Sequence, residues 1–202
     1  MVMVKHMTPH LQFDELKRQA KVSIKPHISR WERSAYRCVE PRWARPEYLV
    51  SGEGTMAHGG RWMAKGITQV AYASVTENIA LKEASHNFTR YGIKPRQKPR
   101  LIVELEIRIS RMVVLRDLLK AMPWPDLNEL LVEEWEPINE RGKETLSQAL
   151  GRALFELGVE GCLIPSVRDR RGNNLILFPK NLRKDSRIEI VGENELERWI
   201  AK

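Results

Sequence analysis

A chain of 202 residues, 42% hydrophobic and 30% charged, can bury one full core. It is short for two ordinary domains and holds no apolar run near the roughly 20 residues that cross a bilayer. The opening MVMVKHMTPHLQF lacks the apolar stretch and cleavage site of a secretory signal, so a cytoplasmic protein without a membrane span is expected, and a net charge of +8 favours polyanionic partners.

In chain order, residues 9–21 (PHLQFDELKRQAK) read as a helix with Thr8 as cap and Pro9 in the first position. Leu11, Leu16 and Ala20 lean to one side of it. This helix belongs to an N-terminal extension over residues 1–30, and a globular domain fills 31–202. SAYRCV at 34–39 is a short strand, followed by the proline-punctuated EPRWARPEYLVSGEG. QVAYAS at 69–74 reads as a buried strand, and Thr76 caps a helix running to about Phe88. On that helix Glu83 lies four and three positions after Ile79 and Ala80, so a carboxylate is carried near the buried side.

RLIVELEIRI at 100–109 alternates strictly, with Leu101, Val103, Leu105, Ile107 and Ile109 on one face, as in a half-exposed antiparallel strand. Asp117 is expected to cap a brief helix, and WPDLNELLVEEW at 124–135 to form another with Pro125 early. Residues 143–157 give the clearest helix, with Leu146, Leu150, Ala153, Leu154 and Leu157 on one face and Gly158 as the stop. Strands at 161–165, 174–179 and 187–191 and a last helix at 193–201 complete the chain. This irregular mixture predicts an α+β fold with mixed or antiparallel sheets and flanking helices.

Cys38 and Cys162 stand far apart without companion histidines, and Pro9 separates His6 from His10, so no metal site is expected. GEGTMA at 52–57 matches a dinucleotide-binding G-x-G-x-x-A. The glycines of His58-Gly59-Gly60 would stop the helix that pattern requires, so a loop permitting close backbone approach is the better reading. Arg168, Arg170, Arg171, Lys180, Arg183, Lys184 and Arg187 form a basic span, either a solvated rim or a surface for polyanions.

GEGTMAHGGRW, VAYAS, IALKE and LIPSVRDRRGNNLILFP, in that order and spacing, resemble the RES-domain toxins of bacterial RES–Xre type II toxin–antitoxin pairs. The resemblance spans roughly residues 34–190. It implies a fold similar to ADP-ribosyltransferases, with NAD as a substrate, no resident cofactor and no metal. The family's Arg, Glu and Ser fall on Arg61, Glu83 and Ser166, with Tyr72 as a further site residue. Arg61, Glu83 and Tyr72 are the implied catalytic group, and Arg37, Ser166 and Asn174 the implied substrate-binding group. The chain departs from the family pattern at Met63, where an asparagine is usual after GGRW.

The resemblance further implies hydrolysis or phosphorolysis of NAD at its nicotinamide–ribose bond, or ADP-ribosylation of a protein target. It also implies an Xre-type helix-turn-helix antitoxin, DNA contacted only through that antitoxin, and possible homo-oligomers within the toxin–antitoxin complex.

These residue types suit that chemistry. Ordinary glycosidases use two carboxylates because a sugar alkoxide needs a proton to leave. Nicotinamide departs neutral from its pyridinium, so one carboxylate suffices, and Glu83 can stabilise positive charge at the anomeric carbon. Arg61 offers a planar fork for phosphate oxygens. Tyr72 offers a ring face and a hydroxyl, and Ser166 a donor. Each has a structural alternative: a surface Arg61, a core Tyr72, Glu83 paired with Lys82 or Arg90, Ser166 as a turn former, Asn174 as scaffold. A basic nucleic-acid or partner-binding module is the non-enzymatic alternative for the whole chain.

Overall fold

The computed structural model describes residues 7–90, 99–169 and 171–200. The first six residues, Arg170 of the basic span and the end of the helix expected to reach 201 lie outside the described residues. The elements in chain order are α1 (Phe13–Ser23), β1 (Ile28–Val39), α2 (Pro46–Val50), α3 (Glu53–His58), β2 (Ala71–Ser74), α4 (Glu77–Arg90), β3 (Leu101–Val114) and α5 (Leu115–Lys120). They continue with α6 (Leu127–Val132), α7 (Trp135–Glu140), α8 (Leu146–Glu156), β4 (Gly161–Pro165), β5 (Asn173–Leu177), β6 (Arg187–Ile190) and α9 (Glu193–Ile200). This is the α+β mixture expected, and no helix among the described residues is long and apolar enough to cross a membrane.

The sheet runs β1-β2-β5-β4-β3-β6, and a further pairing of β1 with β3 closes its first five strands into a ring. Among these strand pairs of the described residues, β3–β4 is parallel and the others are antiparallel. β3 makes this closure possible because it is long: Val113 pairs with Ile28 of β1 on one side and Cys162 of β4 on the other, while Ile107 pairs with Ile188 of β6. Its alternation holds as expected, with Leu105, Ile107 and Ile109 buried and Glu106 exposed. These residues join Ala35, Ala71, Ala73, Leu175 and Leu177 in a cluster drawn from several strands of the ring. The opposite faces supply a second cluster, where Ile164 and Ile176 meet Leu150 and Leu154 of α8, Leu16 and Ala20 of α1, and Trp62.

Several elements differ from expectation for identifiable reasons. α1 starts at Phe13, four residues later than proposed, with Gln12 in the cap position. Thr8 is not its cap, because its N–H donates to Gly142 O and its carbonyl accepts from Glu144 N, at 2.7 and 3.0 Å. Leu11 is consequently 98% exposed while Leu16 and Ala20 are fully buried. α1 lies on α8, joined by a Lys17–Glu156 ion pair and by the Arg152 guanidinium over the Phe13 ring.

Asp117 sits inside α5, whose cap position is Val114. The single helix expected at 124–135 is two, because Glu133 is extended (φ −63°, ψ 129°) and its carboxylate accepts from Leu146 N at 2.7 Å. Asp126 caps the first of them through a capping box with Glu129. α8 has a capping box of its own from Thr145 and Gln148, and Gly158 (φ +74°) follows it.

Candidate active site

The short α3 is stopped by Gly59, whose φ of +77° a side chain disfavours. The chain then folds into a tight turn in which Gly60 and Met63 exchange backbone hydrogen bonds of 2.8 and 3.3 Å. α8 holds this turn from behind: Ser147 Oγ donates to Arg61 O and Gln148 Nε2 to Gly60 O, each at 2.8 Å. A Cβ on Gly151 would fall 1.8 Å from Trp62 O, so the turn lies directly on the helix. Met63 is fully buried in the core, and the turn is closed by backbone groups at that position.

Tyr72 of β2 holds the turn from the other side, its hydroxyl accepting from Trp62 N at 3.2 Å. A Cβ on Gly60 would lie 2.7 Å from that hydroxyl, which accounts for a glycine there. Burial pushes the Tyr72 phenol well above its usual pKa, so it stays neutral.

Glu83 reaches the same place from α4. Thr76 caps this helix, its Oγ1 accepting from Ile79 N at 3.3 Å, and Ile79 and Ala80 bury one face of it. Glu83 Oε1 accepts two short hydrogen bonds of 2.6 Å, from Ser166 Oγ and Asn174 Nδ2. Behind Asn174, Ser74 Oγ donates to Asn174 Oδ1 at 2.7 Å across the β2–β5 pair, fixing which end of the amide faces Glu83. Glu83 Oε2 has no hydrogen bond to the described residues. Lys82, one alternative partner for Glu83, instead pairs with Asp169 at 2.7 Å and lowers the pKa of that carboxyl.

A cleft of about 180 Å³ lies between these walls, lined by Arg61, Tyr72, Glu83 and Asn174 together with Trp62, Trp135, Glu136, Ile164, Pro165, Val167 and Arg168. Four of the six residues singled out from the sequence therefore meet in one cavity. Ser166, 4% exposed, stands behind Glu83. Arg37 does not line the cleft: its Nη1 donates to Leu49 O on α2, and desolvation there pulls its pKa down to about 10.

Arg61 also serves the scaffold, its Nη1 donating to Leu131 O and Glu133 O at 3.1 and 2.9 Å. These are carbonyls at the C-terminal end of α6, where a cation is favoured. Trp135 and Glu136 of α7 were not anticipated as cleft residues, because the break between α6 and α7 depends on contacts with Leu146 and Arg61 that have no local signature. Ser74 was passed over as one of several polar strand residues, although its register opposite Asn174 is what links it to the site.

Chemically, the cleft presents a carboxylate whose rotamer is fixed from behind, a neutral phenol and arginines, all against apolar walls. Such a site can stabilise a developing cation beside Glu83 while binding an anionic group elsewhere. The class the fold and cleft define is an α+β protein with a polar cleft on a mixed sheet, five of whose strands close into a ring. The RES domain family model matches residues 34–199, and the chain belongs to that family. Among solved structures, a chain of the M. tuberculosis MbcT–MbcA toxin–antitoxin complex matches with a TM-score of 0.61 and 16% identity, covering 93% of this chain and 100% of that one. At that identity the likeness is one of fold. No curated protein matches.

Proposed function

We propose that this chain is the cytoplasmic toxin of a toxin–antitoxin pair, and that its cleft breaks the nicotinamide–ribose bond of NAD. The observation that carries the reading is the Glu83 carboxylate, held through one oxygen by two donors at 2.6 Å and sharing a cleft with Arg61 and Tyr72. As the bond breaks, its electron pair goes to the pyridinium nitrogen and nicotinamide leaves neutral. The ribose carbon becomes cationic, and Glu83 stabilises that charge without a proton transfer to the leaving group. Water completes a hydrolysis by bonding through oxygen to that carbon and releasing a proton to solvent, or an oxygen of inorganic phosphate bonds there instead and completes a phosphorolysis. Ser166 and Asn174 keep the carboxylate aimed, so no reorganisation is needed at the moment of reaction. Tyr72 supports the reacting end of the substrate with its ring, and Arg61 places a positive field across from Glu83.

At about 180 Å³ the cleft is smaller than the roughly 300–1,000 Å³ of sites that swallow a whole ligand. It suits nicotinamide and its ribose, with the rest of the dinucleotide lying across the rim. NAD is substrate here, and no resident cofactor is invoked. Arg37 is assigned to holding α2 rather than to substrate. The partner would be an Xre-type helix-turn-helix antitoxin, through which any DNA is contacted.

The test is to incubate the purified chain with NAD and follow nicotinamide by chromatography, with and without inorganic phosphate. Free nicotinamide with ADP-ribose indicates hydrolysis, and a phosphorylated ADP-ribose indicates phosphorolysis. Label retained on a protein indicates ADP-ribosyl transfer instead, and intact NAD would reject the reading.

A further inference from the structure

The cleft floor is formed by buried residues such as Trp62, Ile164 and Pro165, whereas Val167 and Arg168 are exposed and mark its rim. Arg168 sits between β4 and β5, and hydrogen bonds hold the described residues on either side of it. Ser166 Oγ accepts from the backbone N–H groups of both Arg168 and Asp169 at 3.1 Å, while donating to Glu83. Gly172 N donates to Asp169 O and Ser166 N to Gly172 O, at 2.8 and 3.0 Å. The Lys82–Asp169 ion pair and the close approach of Gly172 to Ile79 fasten these residues to α4.

One hydroxyl thus orients Glu83 and the backbone of Arg168 together. The Arg168 guanidinium itself has no hydrogen bond or ion pair to the described residues. Arg61, by contrast, already spends Nη1 on two carbonyls of the α6 end.

We infer that Arg168 is the residue that selects a diphosphate-bearing substrate, gripping its phosphate oxygens at the rim while the glycosidic bond lies beside Glu83. This rests on the NAD reading of the cleft and adds a specificity-determining residue to it. Two features make the assignment physical. A guanidinium offers parallel donors matched to phosphate oxygens. A cation whose backbone N–H is already held by Ser166 Oγ also has less to order on binding. Substrates lacking the diphosphate, such as nicotinamide riboside, gain nothing from it.

The experiment measures ADP-ribose affinity by calorimetry, and the KM and kcat for NAD, in the wild type, Arg168→Gln and Arg168→Lys. Because the side chain is exposed, melting temperatures should coincide. In Arg168→Gln both the ADP-ribose Kd and the KM for NAD are expected to rise about tenfold or more, with kcat within about twofold. Arg168→Lys is expected to recover part of the loss, and the affinity of Arg168→Gln should fall less steeply with salt than the wild type's. Unchanged ADP-ribose affinity in Arg168→Gln, beside a wild type that cleaves NAD, would overturn this inference alone. A wild type that binds no ADP-ribose and cleaves no NAD would overturn both it and the functional reading.

Discussion

Two of the chain's well-bound glutamates, Glu160 and Glu83, sit in different settings, and the contrast shows how the fold separates scaffold from chemistry. Glu160, fully buried where β3 meets β4, accepts from Ser110 N, Ser110 Oγ and Arg111 N on one oxygen and from Arg183 N on the other. Burial alone would raise its pKa, but these hydrogen bonds outweigh that and lower it. Both of its oxygens are occupied, so nothing remains to offer a ligand. Glu83 has its two donors on Oε1 alone and lies on the wall of a cleft. The first carboxylate is saturated and ties strands together; the second is aimed and keeps an oxygen in reserve.

Glu83→Gln should break the functional side of this contrast. Its carbonyl can still accept from Ser166 and Asn174, so the melting temperature should hold, while nicotinamide release falls about 10²–10³-fold. Glu160→Gln should do the reverse. It turns one saturated acceptor into a donor facing donors, at about 3 kcal/mol, and should lower the melting temperature by about 8 °C. Activity measured well below that temperature should stay within a factor of about two. Similar stability losses in both variants would erase the distinction.

Ser74→Ala is a finer probe. It frees the Asn174 amide to turn, so kcat should drop about fivefold with KM little changed, as expected for one neutral hydrogen bond. A KM effect without a kcat effect would place Asn174 in binding rather than in orienting Glu83.

The smallest effect concerns acid. Glu160's folded pKa lies below the 4.5 of the free group, so its stabilisation is complete above that value and is lost as pH falls through the folded one. Melting curves from pH 6 to about 3 should therefore fall more steeply for the wild type than for Glu160→Gln. Parallel curves would contradict it.

The same contrast marks what was legible in the sequence. The alternation of Leu101 to Ile109, the apolar face of α8 and the glycine after it follow from local periodicity, and the structure keeps them. Thr8 and Asp117 were misjudged as caps because capping residues are ambiguous until their hydrogen bonds are known, and Thr8 spends its backbone groups on the 142–144 segment. The first half of β1, where Arg30, Glu32 and Arg33 are exposed, hides its strand character because β3 supplies the pairing from across the chain.

In the cleft, Arg61, Tyr72 and Glu83 were visible through their motifs. Ser74, Trp135 and Glu136 depend on register and on a helix break decided by distant partners. Glu160 gave no sign at all, since a glutamate beside a glycine looks solvated until four donors converge on it.

The most direct measurement is a crystal structure of Glu83→Gln soaked with NAD. The account predicts intact NAD with its anomeric carbon about 3–3.5 Å from the side-chain oxygen of residue 83, the nicotinamide against Tyr72 and the phosphates outside the cavity floor. NAD absent from the cleft at saturating concentration, or bound with its glycosidic bond far from residue 83, would contradict it.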